Sequence, residues 1–394
     1  MIELAQLFRD MAWPIAILIA WFAGEYAYQW IKLPRISTYA VVGFVLAPTQ
    51  IGLLPQTQAP MLLLANIAFG LMLFECGYRI NLRWLRANPW LAASSLTESA
   101  LTFVAVYIIA SWFGLSLANA LLLATLSMAT SPATILRIIN EQRSAGQVTE
   151  RVLHLAALNC VLSVLAFKIV VGFVVLQTSG SLWQATYSSL IVLVMSLLLG
   201  AIAGALIPAL LRLTKRTGQD CTLAFTIAVI GIVALAHSLK LSPILTALMF
   251  GLSARHHRIV LATSQRGFGA LGDLLSILLF VFIASSLEWR HVTAGVGLGF
   301  AIIMARQIAK IGGITLFAHL SGISLRKGVL IGVASTPLSA FVILVLEQTR
   351  YLGISLVDQL SSLAAAALSI EIFGPILVQR ALVWANEVPD RKEF

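Results

Sequence analysis

Charge is what this chain has least of. Of 394 residues only 11% are Asp, Glu, Lys or Arg, while 59% are hydrophobic. Soluble domains carry about 25% charged residues. A water-soluble enzyme and a disordered chain are therefore both excluded, since each needs far more polar surface than this sequence supplies. Cysteine is almost missing. Cys76, Cys160 and Cys221 are far apart, odd in number and set inside apolar runs. That excludes a disulfide scaffold, and no metal site or cofactor is expected. No polar stretch is long enough for a soluble domain. No P-loop or nucleophile elbow occurs, so no enzyme is expected. The first ten residues carry Glu3 and Asp10 and lack a small-residue cleavage site. The first apolar run reads as a retained span, not a signal peptide.

What the chain does have is apolar length. Its mean hydropathy is +0.94. A membrane-spanning helix takes about 20 mostly apolar residues. Thirteen segments qualify: 12–31, 36–54, 60–78, 88–113, 115–140, 150–177, 182–211, 221–239, 241–255, 266–287, 291–320, 326–347 and 354–386. The expected fold is an all-α polytopic membrane protein with about thirteen transmembrane helices. It forms a single transmembrane domain over 1–394 without a soluble regulatory domain. Several segments exceed one bilayer, so tilted or broken helices are expected.

The charges order these spans. The net charge is +10, from 26 Lys and Arg against 16 Asp and Glu. Nineteen of the cations fall in one alternating set of loops, beginning with Lys32 and Arg35 and ending with Arg380, Arg391 and Lys392. Four, Arg9, Lys240, Arg290 and Arg350, fall in the other set. Cytoplasmic loops concentrate Lys and Arg, which predicts the N-terminus outside and the C-terminus in the cytoplasm. The basic surplus thus reports topology, and no nucleic-acid partner is expected.

An internal echo follows. Ala129-Thr130-Ser131-Pro132-Ala133-Thr134 recurs as Ala334-Ser335-Thr336-Pro337-Leu338-Ser339, and Leu71-Met72-Leu73-Phe74 recurs as Ile277-Leu278-Leu279-Phe280. Each copy lies seven spans from its partner. An odd displacement puts the copies in opposite orientations, the inverted-topology repeat of many secondary transporters. Pro132 and Pro337 each remove a backbone donor. In lipid such breaks survive only where protein or a water-filled cavity serves the freed carbonyls. Two crossed broken helices are therefore predicted, with Thr130, Ser131, Ser335 and Thr336 lining a substrate site between them.

Ionisable groups inside spans are costly and mark function by default. Lys310 and Arg306 lie one turn apart in the eleventh span and share a face. Lys168 lies late in the sixth, Glu75 in the third, Glu98 in the fourth, Asp273 in the tenth and Glu371 in the thirteenth. Mid-way through the sixth span sits Asn159-Cys160, a polar pair without a charge.

These residues together resemble the membrane domain of the second monovalent cation:proton antiporter family, which shares the Na⁺/H⁺ exchanger fold. Lys32-Leu33-Pro34-Arg35 ahead of Val41-Val42-Gly43-Phe44-Val45-Leu46-Ala47-Pro48 is similar to its first core helix. Leu73-Phe74-Glu75-Cys76-Gly77 and Leu279-Phe280-Val281-Phe282 are similar to two further segments, and the two Ser/Thr-Pro runs to its broken helices. Lys310 stands where many members keep a basic residue. The resemblance implies alternating-access exchange of Na⁺ or K⁺ for protons by a homodimer in a bacterial inner membrane. It also implies a core over about 60–177 and 266–386 and a scaffold over about 12–54 and 182–255. One departure stands out. Members that exchange cations usually carry Asp-Asp or Asn-Asp where this chain has Asn159-Cys160, so the pair lacks its carboxylate. Three readings follow: a cation:proton antiporter with a non-standard site, Lys310 being the titrating group; a carrier or channel for another small solute, such as an anion drawn to the buried cations; and a non-transporting membrane sensor with the same fold.

Overall fold

The elements follow from capping and from proline placement. A computed structural model describes residues 2–56, 59–172, 182–213, 219–257, 268–287, 290, 293, 295–351 and 361–389. The expected span portions 173–177, 266–267, 291–292, 294 and 354–360 lie outside the described residues. So do the cations Lys215, Arg216, Arg258, Arg266, Arg391 and Lys392. Among the described residues every regular element is a helix. In chain order they are α1 (Ile2–Ile31), α2 (Arg35–Val45), α3 (Ala59–Arg79), α4 (Leu82–Ala87), α5 (Pro89–Trp112), α6 (Leu117–Ser127), α7 (Pro132–Gln142) and α8 (Gln147–Val170). There follow α9 (Leu182–Leu213), α10 (Gln219–Ser238), α11 (Pro243–His256), α12 (Gly269–Ser285), α13 (Val296–Leu316), α14 (Leu325–Ala334), α15 (Ala340–Tyr351) and α16 (Ser361–Trp384).

Each of the thirteen expected segments contains a helix, with one substantial difference. The segment 36–54 is helical only to Val45. Pro48 disfavours helix at the preceding residue, and Gly52 takes a left-handed turn at φ 76°. Leu54 N–H then bonds back to Leu46 O at 3.0 Å, closing a folded turn where the expected helix would have continued. The two Ser/Thr-Pro segments are interrupted as predicted. The fifth span is α6 and α7, parted at residues 128–131, and the twelfth is α14 and α15, parted at 335–339. Ser131 restarts the chain as an N-cap, its Oγ accepting from Thr134 N–H at 3.2 Å, with Pro132 at the first helical position. There a missing N–H does no harm, and the preset φ helps.

Packing sorts the helices. Around α13 lie α5, α14 and α16, and α5, α6 and α8 pack on one another. Elsewhere α11 packs on α3, α9 and α10, while α12 packs on α1, α2 and α3. The burial gradient fits a lipid solvent. In the most apolar 18 residues of Leu117–Gln142, 94% are buried, against 22% in those of Thr186–Leu213, and α9 turns Leu190, Val194, Leu198, Ile202, Leu206 and Leu210 outward. Outward-facing apolar side chains on a continuous helix are what hydrocarbon requires. The chain is a multi-pass integral membrane protein, and the most enclosed helix pair is the one carrying the first break.

Candidate functional site at the two helix breaks

Both breaks leave carbonyls without intrahelical partners. These meet at one place. Ser131 N–H donates to Pro337 O at 2.9 Å, tying the first break directly to the second. Arg306, from α13, completes the junction. Its Nε donates to Ser127 O at 2.8 Å, and its two terminal nitrogens reach Ala129 O at 2.8 Å, Pro337 O at 3.3 Å and Thr336 O. The guanidinium is 1% exposed. Its planar fork of five donors suits a cluster of carbonyls. It also places fixed positive charge at the C-terminal, electronegative ends of α6 and α14.

One turn further along α13, Lys310 does something different. Its Nζ lies 2.9 Å from Glu98 Oε2, 2.9 Å from Thr130 Oγ1 and 3.2 Å from Met128 O. Asn159 Nδ2 donates to Glu98 Oε1 and, at 3.2 Å, to Thr130 Oγ1. Glu98, Thr130, Asn159 and Lys310 are all 0% exposed. Three helices and the first break thus bring one carboxylate, one ammonium, one amide and one hydroxyl together in a fully buried cluster. Close backbone approach permits this. A Cβ on Gly313 would stand 2.5 Å from Glu98 Cα, so only glycine lets α13 lie against α5 at this depth. Chemically the arrangement is an oxygen shell around a single positive charge, which the lysine now fills.

Comparison with known proteins supplies the family and the fold. A family model described as "Sodium/hydrogen exchanger, transmembrane" matches residues 15–384. The chain belongs to the sodium/hydrogen exchanger family. No curated protein sequence matches it. Two solved structures of the sodium proton antiporter MjNhaP1 from Methanocaldococcus jannaschii share its fold. One, determined at pH 8, has a TM-score of 0.64 at 14% identity, covering 95% of this chain and 97% of the other. The second, from electron microscopy, has a TM-score of 0.71 at 14% identity, covering 95% of each. Members of an exchanger family are transporters, not enzymes.

Within this exchanger, the residues singled out from sequence separate into those at the junction and those away from it. Thr130, Asn159, Lys310 and Arg306 meet there. Ser131 caps α7. Ser335 Oγ bonds to Ile331 O in its own helix at 2.9 Å, and Thr336 Oγ1 bonds to Gln307 Oε1 at 2.8 Å. Cys160 meets the second break, its Sγ 4.0 Å from Ser339 Oγ. Glu75 pairs instead with Arg79 at 3.1 Å and accepts from Asn140 at 2.9 Å at the end of α3. Asp273, 73% exposed, pairs with Arg137 at 2.6 Å. Lys168 is half-buried in the last turn of α8. Glu371 is buried in α16 and takes no part in the Glu98–Lys310 network.

The Asn159-Cys160 pair carries no carboxylate, but a carboxylate does stand beside Lys310, 2.9 Å from its Nζ. Glu98 supplies it from α5, not from the α8 pair. A signal for it was present: Ser95, Glu98, Ser99 and Thr102 recur at three- and four-residue spacing, a polar stripe on an otherwise apolar helix.

Proposed function

We propose that this protein is a monovalent cation:proton antiporter in which Glu98 and Lys310 form the exchange pair. The observation that carries the reading is the 2.9 Å contact between Glu98 and Lys310 in a cluster with no exposed atom of either residue. An ammonium held by a carboxylate, a hydroxyl and a carbonyl is a tethered cation in a cation site. A Na⁺ or K⁺ ion takes the same oxygens when Lys310 gives up its proton and withdraws. Both cations at the junction are committed, Arg306 to four carbonyls and Lys310 to Glu98, which leaves neither free to attract an anion. This favours the cation reading over an anion carrier.

Alternating access needs a moving part. On packing, α5–α8 and α13–α16 form the core, and α1–α3 with α9–α12 the scaffold. This grouping moves α3 and α12 out of the core expected from sequence, because both pack on scaffold helices. A cavity of about 360 Å³ opens on the seam between α7 and α1, α2 and α12, lined by Glu25, Arg35, Tyr39, Arg137, Glu141 and Asp273. Arg35 and Arg137 belong to the loops predicted to be cytoplasmic, so this cavity is the inner vestibule. The N-terminus lies outside and the C-terminus inside, the two broken segments are copies in an inverted repeat, and two chains pair through their scaffolds in a bacterial inner membrane, among its lipids.

The test is transport in proteoliposomes with a pH-sensitive dye, adding Na⁺, K⁺ or a small anion. Cation-dependent proton movement is expected, lost in Glu98→Gln and in Lys310→Ala. Anion-driven flux would favour the second reading, and no flux with any solute the sensor.

A further inference from the structure

Away from the two breaks, a basic pocket lies where membrane helices end. Helix α3 stops at Arg79, α4 starts after Asn81 and α11 stops at His256. Between these ends is a cavity of about 410 Å³. Its lining joins three basic side chains, Arg83, Arg255 and His256, to three aliphatic ones, Ile80, Leu82 and Leu252, and contains no acid. Arg255 is anchored. Its Nη1 donates to Tyr78 O at 3.2 Å and to Arg79 O, the last carbonyls of α3. Its Nε and Nη2 are left uncommitted among the described residues. Arg83 and His256 are exposed, and among the described residues neither side chain has a hydrogen bond or a carboxylate partner. Arg212, at the end of α9, donates to His257 O beside the pocket and adds a further positive charge. Guanidinium groups present paired donors to phosphate oxygens. Free phosphate would use the basic side chains alone, whereas a phospholipid uses the aliphatic ones as well. Basic pockets between membrane helices are suited to anionic headgroups.

We propose that this pocket binds the phosphate of an anionic phospholipid from the leaflet it faces, bridging Arg83 to Arg255 and His256. The bridge joins two parts of the fold. Asn81 N–H donates to His154 Nε2 at 3.1 Å, the Trp84 ring lies 4.8 Å from that of His154, and Arg151 stands 5.5 Å over Trp84. His154 and Arg151 belong to α8, so α4 is tied to the core. Arg255 and His256 belong to α11, in the scaffold. A headgroup seated between them holds α4 against α11 in the present conformation. A ligand with more contacts in one conformation draws the protein into it. Anionic lipid would thereby bias the position of the core, through α4, the link between α3 and the helix that carries Glu98.

The experiment is thermal unfolding of the purified protein in one uncharged detergent, with phosphatidylglycerol, phosphatidylcholine or inorganic phosphate added. A ligand that binds only the folded state raises the midpoint as its concentration rises. Phosphatidylglycerol is expected to raise it, and the other two are not. Arg83→Gln removes a side chain without partners, so its midpoint in the absence of lipid should match the wild type. It should need about tenfold more phosphatidylglycerol for the same rise. Arg86→Gln removes an equal charge from the same helix outside the lining, and its response should match the wild type. An equal rise with phosphatidylcholine would show that the headgroup charge is not read. A rise with inorganic phosphate alone would assign the pocket to a soluble anion. Arg86→Gln weakening the response as much as Arg83→Gln would show diffuse attraction to the surface. Each of these three results overturns the proposal. Binding is read without transport, so the outcome stands whether or not the antiport reading does.

Discussion

Removing one charge of the Glu98–Lys310 pair should harm the protein more than removing both. At 2.9 Å and an effective dielectric near 20, the attraction between two unit charges is about 6 kcal/mol. Desolvation of each ion costs several kcal/mol, so the intact pair comes out near balance. A lone buried charge has no such compensation, and breaking a buried pair costs about 3–5 kcal/mol. Methionine has a similar length and fills space without charge. Glu98→Met and Lys310→Met are each expected to lose about 3–5 kcal/mol. The double variant strands only uncharged partners, chiefly Met128 O and one Asn159 N–H, at about 1–3 kcal/mol. It should therefore be more stable than either single variant while transporting nothing. Thermal unfolding of the four proteins, purified in one detergent at neutral pH, gives the ranking. If the double variant's loss equals the sum of the two single losses, the side chains do not interact as described and the exchange pair is refuted.

Two further outcomes follow from the junction. Arg306→Lys keeps the charge but cannot reach Ser127, Ala129, Thr336 and Pro337 together. Carbonyls left unserved cost about 1–3 kcal/mol each, so thermal unfolding should occur well below wild type, and an unchanged midpoint would show that the guanidinium does not hold the breaks together. Gly313→Ala places a methyl 2.5 Å from Glu98 Cα, and relieving the clash should cost about 1–3 kcal/mol and part α5 from α13. Cation-dependent proton flux should fall with it, whereas full flux would show that the close approach is not needed to form the pair.

Composition and hydropathy were enough to establish a polytopic helical membrane protein, because in hydrocarbon a backbone must satisfy its own hydrogen bonds and only a few solutions exist. Pro132 and Pro337 were legible because each sits among hydroxyl residues at matched positions of a repeat; proline alone does not decide, since Pro14, Pro208 and Pro375 lie inside unbroken helices. The span 36–54 misled because its apolar run continues past Val45, while Pro48 and Gly52 turn the backbone there. Asn159 and Lys310 were legible as polar groups in apolar surroundings. Their partner was not. The polar stripe on α5 marks Glu98, but Glu98 lies 61 residues from Asn159 and 212 from Lys310, and nothing local says that it, rather than Glu75 or Glu371, meets them. A carboxylate missing from its usual helix can be supplied by another, because a buried cluster requires only that the charge be balanced within a few ångströms, from whichever helix is there. Which helix that is depends on how closely two backbones approach. Here that was decided by Gly313 lying against α5, a contact that exists only once the chain has folded.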